Sequence, residues 1–310
     1  MKKTMTMTVI AAAAAAAAML GLSACSASDA PAASAKAEKL TSGVDQAAAK
    51  ALPASIRKSG VIRAAAGIPY PPFIMIENDQ QVGLDPDLAQ ALGEKLGVRI
   101  QISHQAFETV IPSLQAKKFD IIMSGMNDTV EREKTLNFVE ELHAGFTIVV
   151  KKGNPAKIGT LLDLCGHKVA VQKSATQGQI LRDLVTECTA KGKSGIEVQE
   201  LPTAQDPQTA LKAGRVDAYV TDAPVAAYTV ATAGDGKDFE GVADPENPAG
   251  FSPVYTGIGT LKSNTELTEA LRLAMQAIID EGVYQKILDK QHLGHLAVDQ
   301  AIVNGAGAEG

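Results

Sequence analysis

Arg132 is the residue whose type and position most ask for a partner. It lies near the end of the stretch FETVIPSLQAKKFDIIMSGMNDTVERE, Phe107 to Glu133. Within it Ile121, Ile122 and Met123 form a short apolar run bounded by turn residues, the pattern of a strand buried on both faces. The strand is expected to end at Ser124-Gly125. Asp128 or Thr129 is expected to cap a following helix, with Glu131 three residues after Asp128 in capping-box spacing. Arg132 then falls in the first turn, where a cation gains nothing from the helix dipole. A planar guanidinium there can hold a carboxylate in two parallel hydrogen bonds, and backbone amides near Ser124, Gly125 and Asn127 can complete the cradle. The alternative is an ordinary surface ion pair with Asp128 or Glu133.

Other groups could act with Arg132. Lys173-Ser174-Ala175-Thr176 joins a strand ending near Gln172 to a helix starting near Gln177, so Thr176 would present unpaired amides at a helix N-terminus. Asp222 follows the apolar strand Ala218 to Thr221. In open α/β sheets ligands sit at the carboxyl ends of strands, although Asp222 before Pro224 also reads as a plain helix cap. Tyr70 lies in a Pro-Tyr-Pro-Pro-Phe turn and Phe107 opens a helix before Pro112. The two rings could sandwich a side chain, although each alone is more often core than pocket, and Phe73 is expected in the core.

The elements that must position these residues alternate short apolar strands with amphipathic helices. Val61–Ala65, Pro86–Leu96, Ile100–Ser103, Thr109–Ala116 and Ile121–Met123 form one βαβ set. Val169–Val171, Gln177–Glu187, Ile196–Leu201, Pro207–Ala213, Ala218–Thr221 and Ala223–Thr232 form a second. Phe146–Val150 is expected to lead out of the first unit and Val254–Leu261 to return to it, two crossings that make a hinge. The apolar spacing in Glu266–Glu281 and Val283–Asp289 predicts two last helices packed on the first unit.

At the start, Lys2-Lys3 precede an alanine-dominated apolar region, Val9 to Leu22, and then Leu22-Ser23-Ala24-Cys25. This is an export signal whose small-residue cleavage site followed by cysteine resembles a bacterial lipobox, with Cys25 taking the lipid, the alternative being a plain secretory peptide with an incidental cysteine. No other segment is apolar over the roughly 20 residues a spanning helix needs, so membrane attachment is expected through that lipid alone. Without residues 1–24 the chain carries 27 basic and 35 acidic residues, a net charge of −8. That balance argues against a nucleic-acid partner. Cys165 and Cys188 remain, an even pair expected to form a disulfide in an exported protein, the alternative being two buried thiols. Two cysteines at this spacing do not make a zinc site. Gly305–Gly310 formally fits GxGxxG but lacks the strand and helix that a nucleotide site needs, so neither cofactor nor metal is expected.

Six segments stand in order along the chain: IRAAAGIPYPPF, VGLDPDLAQALGEKLG, the Phe107–Glu133 stretch, GHKVAVQKSATQ, GRVDAYVTDAPVAAY and ELTEALRLAMQAIIDEGVYQKILDK. With them the chain resembles the family 3 extracellular solute-binding proteins, amino-acid receptors of ABC importers, from about Ile62 to about Leu293. The resemblance implies an α/β, two-lobe periplasmic-binding-protein fold of type II, hinged by two crossing strands. Ser26 to about Ala51, rich in Ala, Ser and Lys with almost no large apolar side chains, reads as a tether that can be partly helical near its end. With the export signal and the resemblance, the chain divides into a lipoprotein signal peptide (1–24), a lipid-anchored flexible tether (25–54), lobe one (55–144 plus 258–303), lobe two (145–257) and a flexible tail (304–310). The resemblance implies that Arg132 takes the ligand carboxylate, that Thr176 and its neighbours clamp it on closure, that Asp222 meets the ammonium, and that Tyr70 and Phe107 line the pocket. The partners it implies are an ABC permease and its ATPase at the outer face of the bacterial cytoplasmic membrane, with the receptor a monomer and not an enzyme.

Two departures qualify the match. Receptors for basic amino acids often carry an acid three residues before this tyrosine, where this chain has Gly67. Asn127 stands where relatives commonly have Thr or Ser. With Gln172 and Glu108 in reach of a ligand side chain, a neutral or polar amino acid is expected rather than a basic one. Cyclohexadienyl dehydratases look similar and would need a general acid, for which Glu108 is the candidate. A sensory receptor is the third reading.

Overall fold

The computed structural model describes residues 39–308; Cys25 and the expected signal peptide lie outside them. Among the described residues the strands are β1 (Val61–Ala66), β2 (Met75–Glu77), β3 (Gln80–Val82), β4 (Arg99–His104), β5 (Ile121–Asn127), β6 (Leu136–Lys151), β7 (Lys168–Gln172), β8 (Glu197–Leu201), β9 (Ala218–Asp222), β10 (Phe239–Val242) and β11 (Phe251–Leu261). Apart from the β2–β3 hairpin they join in the order β4-β1-β5-β11-β6-β9-β7-β8, with β10 on β6. Pairing is parallel where helices cross over, β1 with β4 and β5, and β7 with β8 and β9. The long strands β6 and β11 run antiparallel from Phe251 opposite Phe146 to Leu261 opposite Leu136. They pass through both lobes, and the fold is the expected two-lobe α/β architecture with two crossing strands.

Each lobe has its own core. In lobe one Ile62, Phe73, Leu88 and Leu92 pack with Leu271, Met275 and Ile278 of the helix Thr265–Asp280. In lobe two Phe146, Val169, Val171 and Leu181 pack with Cys188. Cys188 and Cys165 form a disulfide with Cα atoms 5.7 Å apart.

Four local expectations differ from the structure. β5 continues past Ser124-Gly125 to Asn127 because β11 pairs with Met126 and Asn127. β6 begins at Leu136 rather than Phe146, since β11 supplies a partner along its whole first half. Residues 39–54, assigned to the tether, lie against lobe one. Asp45 caps the helix Gln46–Ala51 by accepting from Ala48 N at 2.8 Å, and Ala48 and Leu52 are fully buried in the core. Burial of one leucine is worth about 1.5 to 3 kcal/mol, and a run of alanines hides the helical periodicity that would have signalled it. Residues 304–307, assigned to a flexible tail, hydrogen-bond through their backbone to Asp128, Phe138, Glu133 and Glu140.

Candidate functional site

The carboxyl ends of β5 and β9 and the N-terminus of the helix Thr176–Ala190 converge between the lobes. β5 is buried at every position. At Gly125 the backbone turns to φ +54°, and an added Cβ would lie 2.9 Å from the Phe73 ring and 3.0 Å from Tyr70 Cε1, so glycine alone lets the strand approach both rings. Thr129, not Asp128, caps the short helix Val130–Glu133, its hydroxyl accepting from Arg132 N at 3.1 Å. Asp128 is drawn elsewhere, to Ala306 N at 3.1 Å.

The cap points Arg132 back at the strand end. Its Nη1 donates to Asn127 O at 2.7 Å and its Nη2 crosses to Ser174 O on lobe two at 3.1 Å. The guanidinium lies 5.9 Å from the centre of the Phe107 ring, within cation–π range. Burial lowers its pKa to about 10 while Asp222, Asp128 and Tyr70 pull it back up, so the group stays cationic at neutral pH. The surface pair with Asp128 or Glu133 is not formed: the guanidinium's hydrogen bonds go to carbonyls.

Asp222 ends β9 and precedes the helix Ala223–Thr232 with Pro224 in its first turn, yet its side chain makes no cap hydrogen bond. The buried carboxylate instead receives three donors. Tyr70 Oη donates to Oδ2, and Asn127 Nδ2 and Gln177 Nε2 donate to Oδ1 at 3.0 and 2.9 Å. Burial pushes its pKa up; Tyr70, Asn127, Arg132 and Gln177 each oppose that. Tyr70 is pushed well up in turn, by burial first and then by Asp222.

Asn127 ties the lobes together. Besides its bond to Asp222, its Nδ2 donates to Thr256 Oγ1 at 3.2 Å, and its Oδ1 accepts from Thr176 Oγ1 at 2.6 Å. Its carboxamide thus both donates and accepts, which a Ser or Thr hydroxyl could not do across the same span. Further out, Lys173 on lobe two pairs with Glu108 on lobe one at 2.6 Å, and Gln205 Nε2 donates to Pro69 O at 2.8 Å.

Beside these groups lies a cavity of about 320 Å³, walled by Tyr70, Phe107, Glu108, Ser124 and Gln172 among others. Ser124 also accepts from Gly67 N at 2.9 Å. The structure therefore brings together all nine expected positions: Tyr70, Phe107, Ser124, Gly125, Asn127, Arg132, Gln172, Thr176 and Asp222. Sequence reading missed Gln177, Ser174 and Thr256. Gln177 had one usable signal, a long amide side chain in the first turn of a helix aimed at a strand end. Thr256 and the Ser174 carbonyl had none. A cation on one side and a buried, donor-rich carboxylate on the other suit a small zwitterion. Among the described residues no cluster of His, Cys, Asp or Glu could hold a metal.

Comparison with known proteins agrees with this geometry. The model for bacterial extracellular solute-binding proteins, family 3, matches residues 62–294. The arginine-binding protein of Corynebacterium glutamicum is 32% identical over 258 residues, 82% of this chain and 81% of that protein. An ancestral arginine-binding protein, solved with arginine and with glutamine, is 35% identical with a TM-score of 0.67. It aligns over 98% of its length and 75% of this chain in the arginine complex, 76% in the glutamine complex. An ancestral amino acid-binding protein described as a precursor of cyclohexadienyl dehydratase is 32% identical with a TM-score of 0.67, over 97% of its length and 76% of this chain. On the family match, the chain belongs to the bacterial extracellular solute-binding proteins, family 3.

Proposed function

We propose that this protein is an extracytoplasmic receptor, anchored by lipid at Cys25 to the outer face of a bacterial cytoplasmic membrane, that closes on one amino acid and presents it to an ABC permease driven by its ATPase. It works as a monomer, without cofactor or metal, and is not an enzyme. The observation that carries the reading is the pair of opposite charges facing one cleft, Arg132 on lobe one and Asp222 on lobe two. Burying both charges of a zwitterion is tolerable only where each finds a partner. The ligand carboxylate goes to Arg132 and the amides around Ser124, Gly125 and Thr176. The ammonium goes to Asp222, where it replaces neutral donors with a cation. Closure then draws on the ligand's greater affinity for the closed state.

The side chain goes into the cavity between Tyr70, Phe107 and Gln172. Glu108 is the one acid among the residues lining that cavity, and Lys173 is its partner. A cationic side chain would have to displace Lys173, with no acid at Gly67 to replace Glu108. A neutral polar amino acid is therefore favoured over arginine. The same ion pair occupies the one carboxyl group that the dehydratase alternative would use as its general acid.

The test is a thermal-shift and calorimetric screen of refolded, ligand-stripped protein against the common amino acids, with Arg132→Ala as control. A ligand at 100 times its Kd adds about 2.7 kcal/mol of stability. Glutamine or a similar neutral residue should bind at least tenfold more tightly than arginine, and Arg132→Ala should abolish the shift. No shift for any amino acid would overturn the receptor reading; a preference for arginine would overturn the ligand class alone.

A further inference from the structure

The two acids that sequence offered as rivals for Arg132 are held by another part of the chain. Ala306 N donates to Asp128 Oδ2 at 3.1 Å, Gly307 N to Glu133 Oε1 at 2.9 Å, and Gly305 N to Glu140 Oε1 on β6 at 3.0 Å. Three consecutive amides thus meet three acidic side chains, two flanking the Arg132 helix and one on β6. The segment is locked on its other side by Val303, which bridges to Val139, and by Asn304. Asn304 N donates to Phe138 O at 3.1 Å, its Oδ1 accepts from Phe138 N at 2.9 Å, and its Nδ2 donates to Asn137 Oδ1 at 3.2 Å.

The run makes no nucleotide site, and its first glycine, Gly305, is required by that contact. A Cβ at Gly305 would lie 2.3 Å from the Tyr255 ring and one at Gly307 would lie 2.8 Å from Glu133 Oε2. The segment lies beyond residues 62–294, the part matched to the family.

Glu133 is the neighbour of Arg132 in sequence, and Asp128 lies four residues before it. Tethered that closely, either carboxylate would compete with a dissolved ligand at a high effective concentration. Backbone amides can hold an acid without adding a charge to the site.

We infer that residues 303–307 form a positioning strap, anchored on the Glu140 carboxyl group, which engages Asp128 and Glu133 and so keeps the Arg132 guanidinium for the carboxylate of a ligand. The inference rests on the receptor reading above for its ligand, and on contacts within the chain for its geometry.

The test compares the full chain with three variants: a deletion of residues 304–310, Ala306→Pro and Gly307→Pro, the last two each removing one amide donor. Calorimetry with glutamine and with arginine measures binding. The ¹⁵N and ¹H signals of the Arg132 guanidinium, in the absence of ligand, report its pairing. The deletion should weaken binding at least tenfold, and each proline variant by a smaller factor. Adding Asp128→Asn with Glu133→Gln to the deletion should restore affinity to within threefold of the parent, whereas the same two changes in the full chain should move it less than threefold. A segment with only a structural role would not be rescued by neutralising two acids. Unchanged affinity in the deletion, or a loss that neutralisation does not restore, overturns the strap. If the full chain binds no amino acid, the receptor reading fails and the resonances decide: a guanidinium signal that shifts on deletion and returns on neutralisation supports the strap, and an unmoved signal overturns it.

Discussion

Asp222 and Glu141 are both buried carboxyl groups, and they have opposite surroundings. Asp222 receives hydrogen bonds from Tyr70, Asn127 and Gln177 and feels the charge of Arg132. Glu141 is the extra residue where the β6–β11 register shifts opposite Thr256 and Gly257, and neither of its oxygens has a protein donor within hydrogen-bond distance; the same is true of Asp85. Burial drives the Glu141 pKa well above the usual carboxylate range, with Asp85 and Glu140 adding to it. Burial also raises Asp85 to about 7, and Glu140, for which the same cause leads, to about 9. Donors make Asp222 a buried site prepared for a cation, whereas without them the Asp85–Glu141 pair is prepared only to keep its protons. Burial alone does not mark a binding acid; the donors around it do.

The largest loss is expected at Asp222. Asp222→Ala removes the anion facing the cleft and leaves three donors unpaired, so amino-acid affinity should fall by about 2 to 5 kcal/mol, thirtyfold or more by calorimetry. Glu141→Gln should do the reverse, leaving affinity near the parent's while changing the pH dependence of stability. The folded state keeps protons on Glu140, Glu141 and Asp85 that the unfolded chain releases above its ordinary carboxylate range. Stability should therefore be greatest near pH 4 to 5 and fall as pH rises through about 7 and 9, the values for Asp85 and Glu140. Denaturant unfolding at pH 5 and pH 9 should show a loss for the parent that is smaller in Glu141→Gln, since a carboxyl group held protonated only in the folded chain loses that stabilisation as pH rises. A loss of equal size in both would place the proton elsewhere. The smallest effect is expected from Tyr70→Phe, which removes one of three donors to Asp222 and should weaken binding by about 1 kcal/mol, roughly fivefold. If that variant bound as tightly as the parent, the hydroxyl would not help prepare the site.

Much of the architecture was legible because its signals are local. The apolar run at Ile121 marked β5, and the alternation of short apolar strands with amphipathic helices marked both βαβ sets. Arg132 stood out because no helix-end argument accounts for a cation in a first turn. Two kinds of feature were not legible. The ends of β5 and β6 were read short because they are set by pairing with β11, more than 100 residues away, and not by local composition. The docking of residues 39–54 and 304–307 depends on where side chains and amides land on a finished surface. Alanines and glycines carry almost no pattern to announce it.

The sequence by itself determined the two α/β units, the order of their motifs, the cysteine pair, and the residues from which a cleft for a zwitterion could be assembled. Periodicity, caps and motif order act over a few residues and survive in the linear chain. Only the tertiary structure decided that Asn127 would bridge Thr176, Thr256 and Asp222, that Gln177 would join them, and that residues 305–307 would hold Asp128, Glu133 and Glu140. Those hydrogen bonds need donors and acceptors within about 3 Å of one another, and that closeness is created by packing residues far apart in the chain.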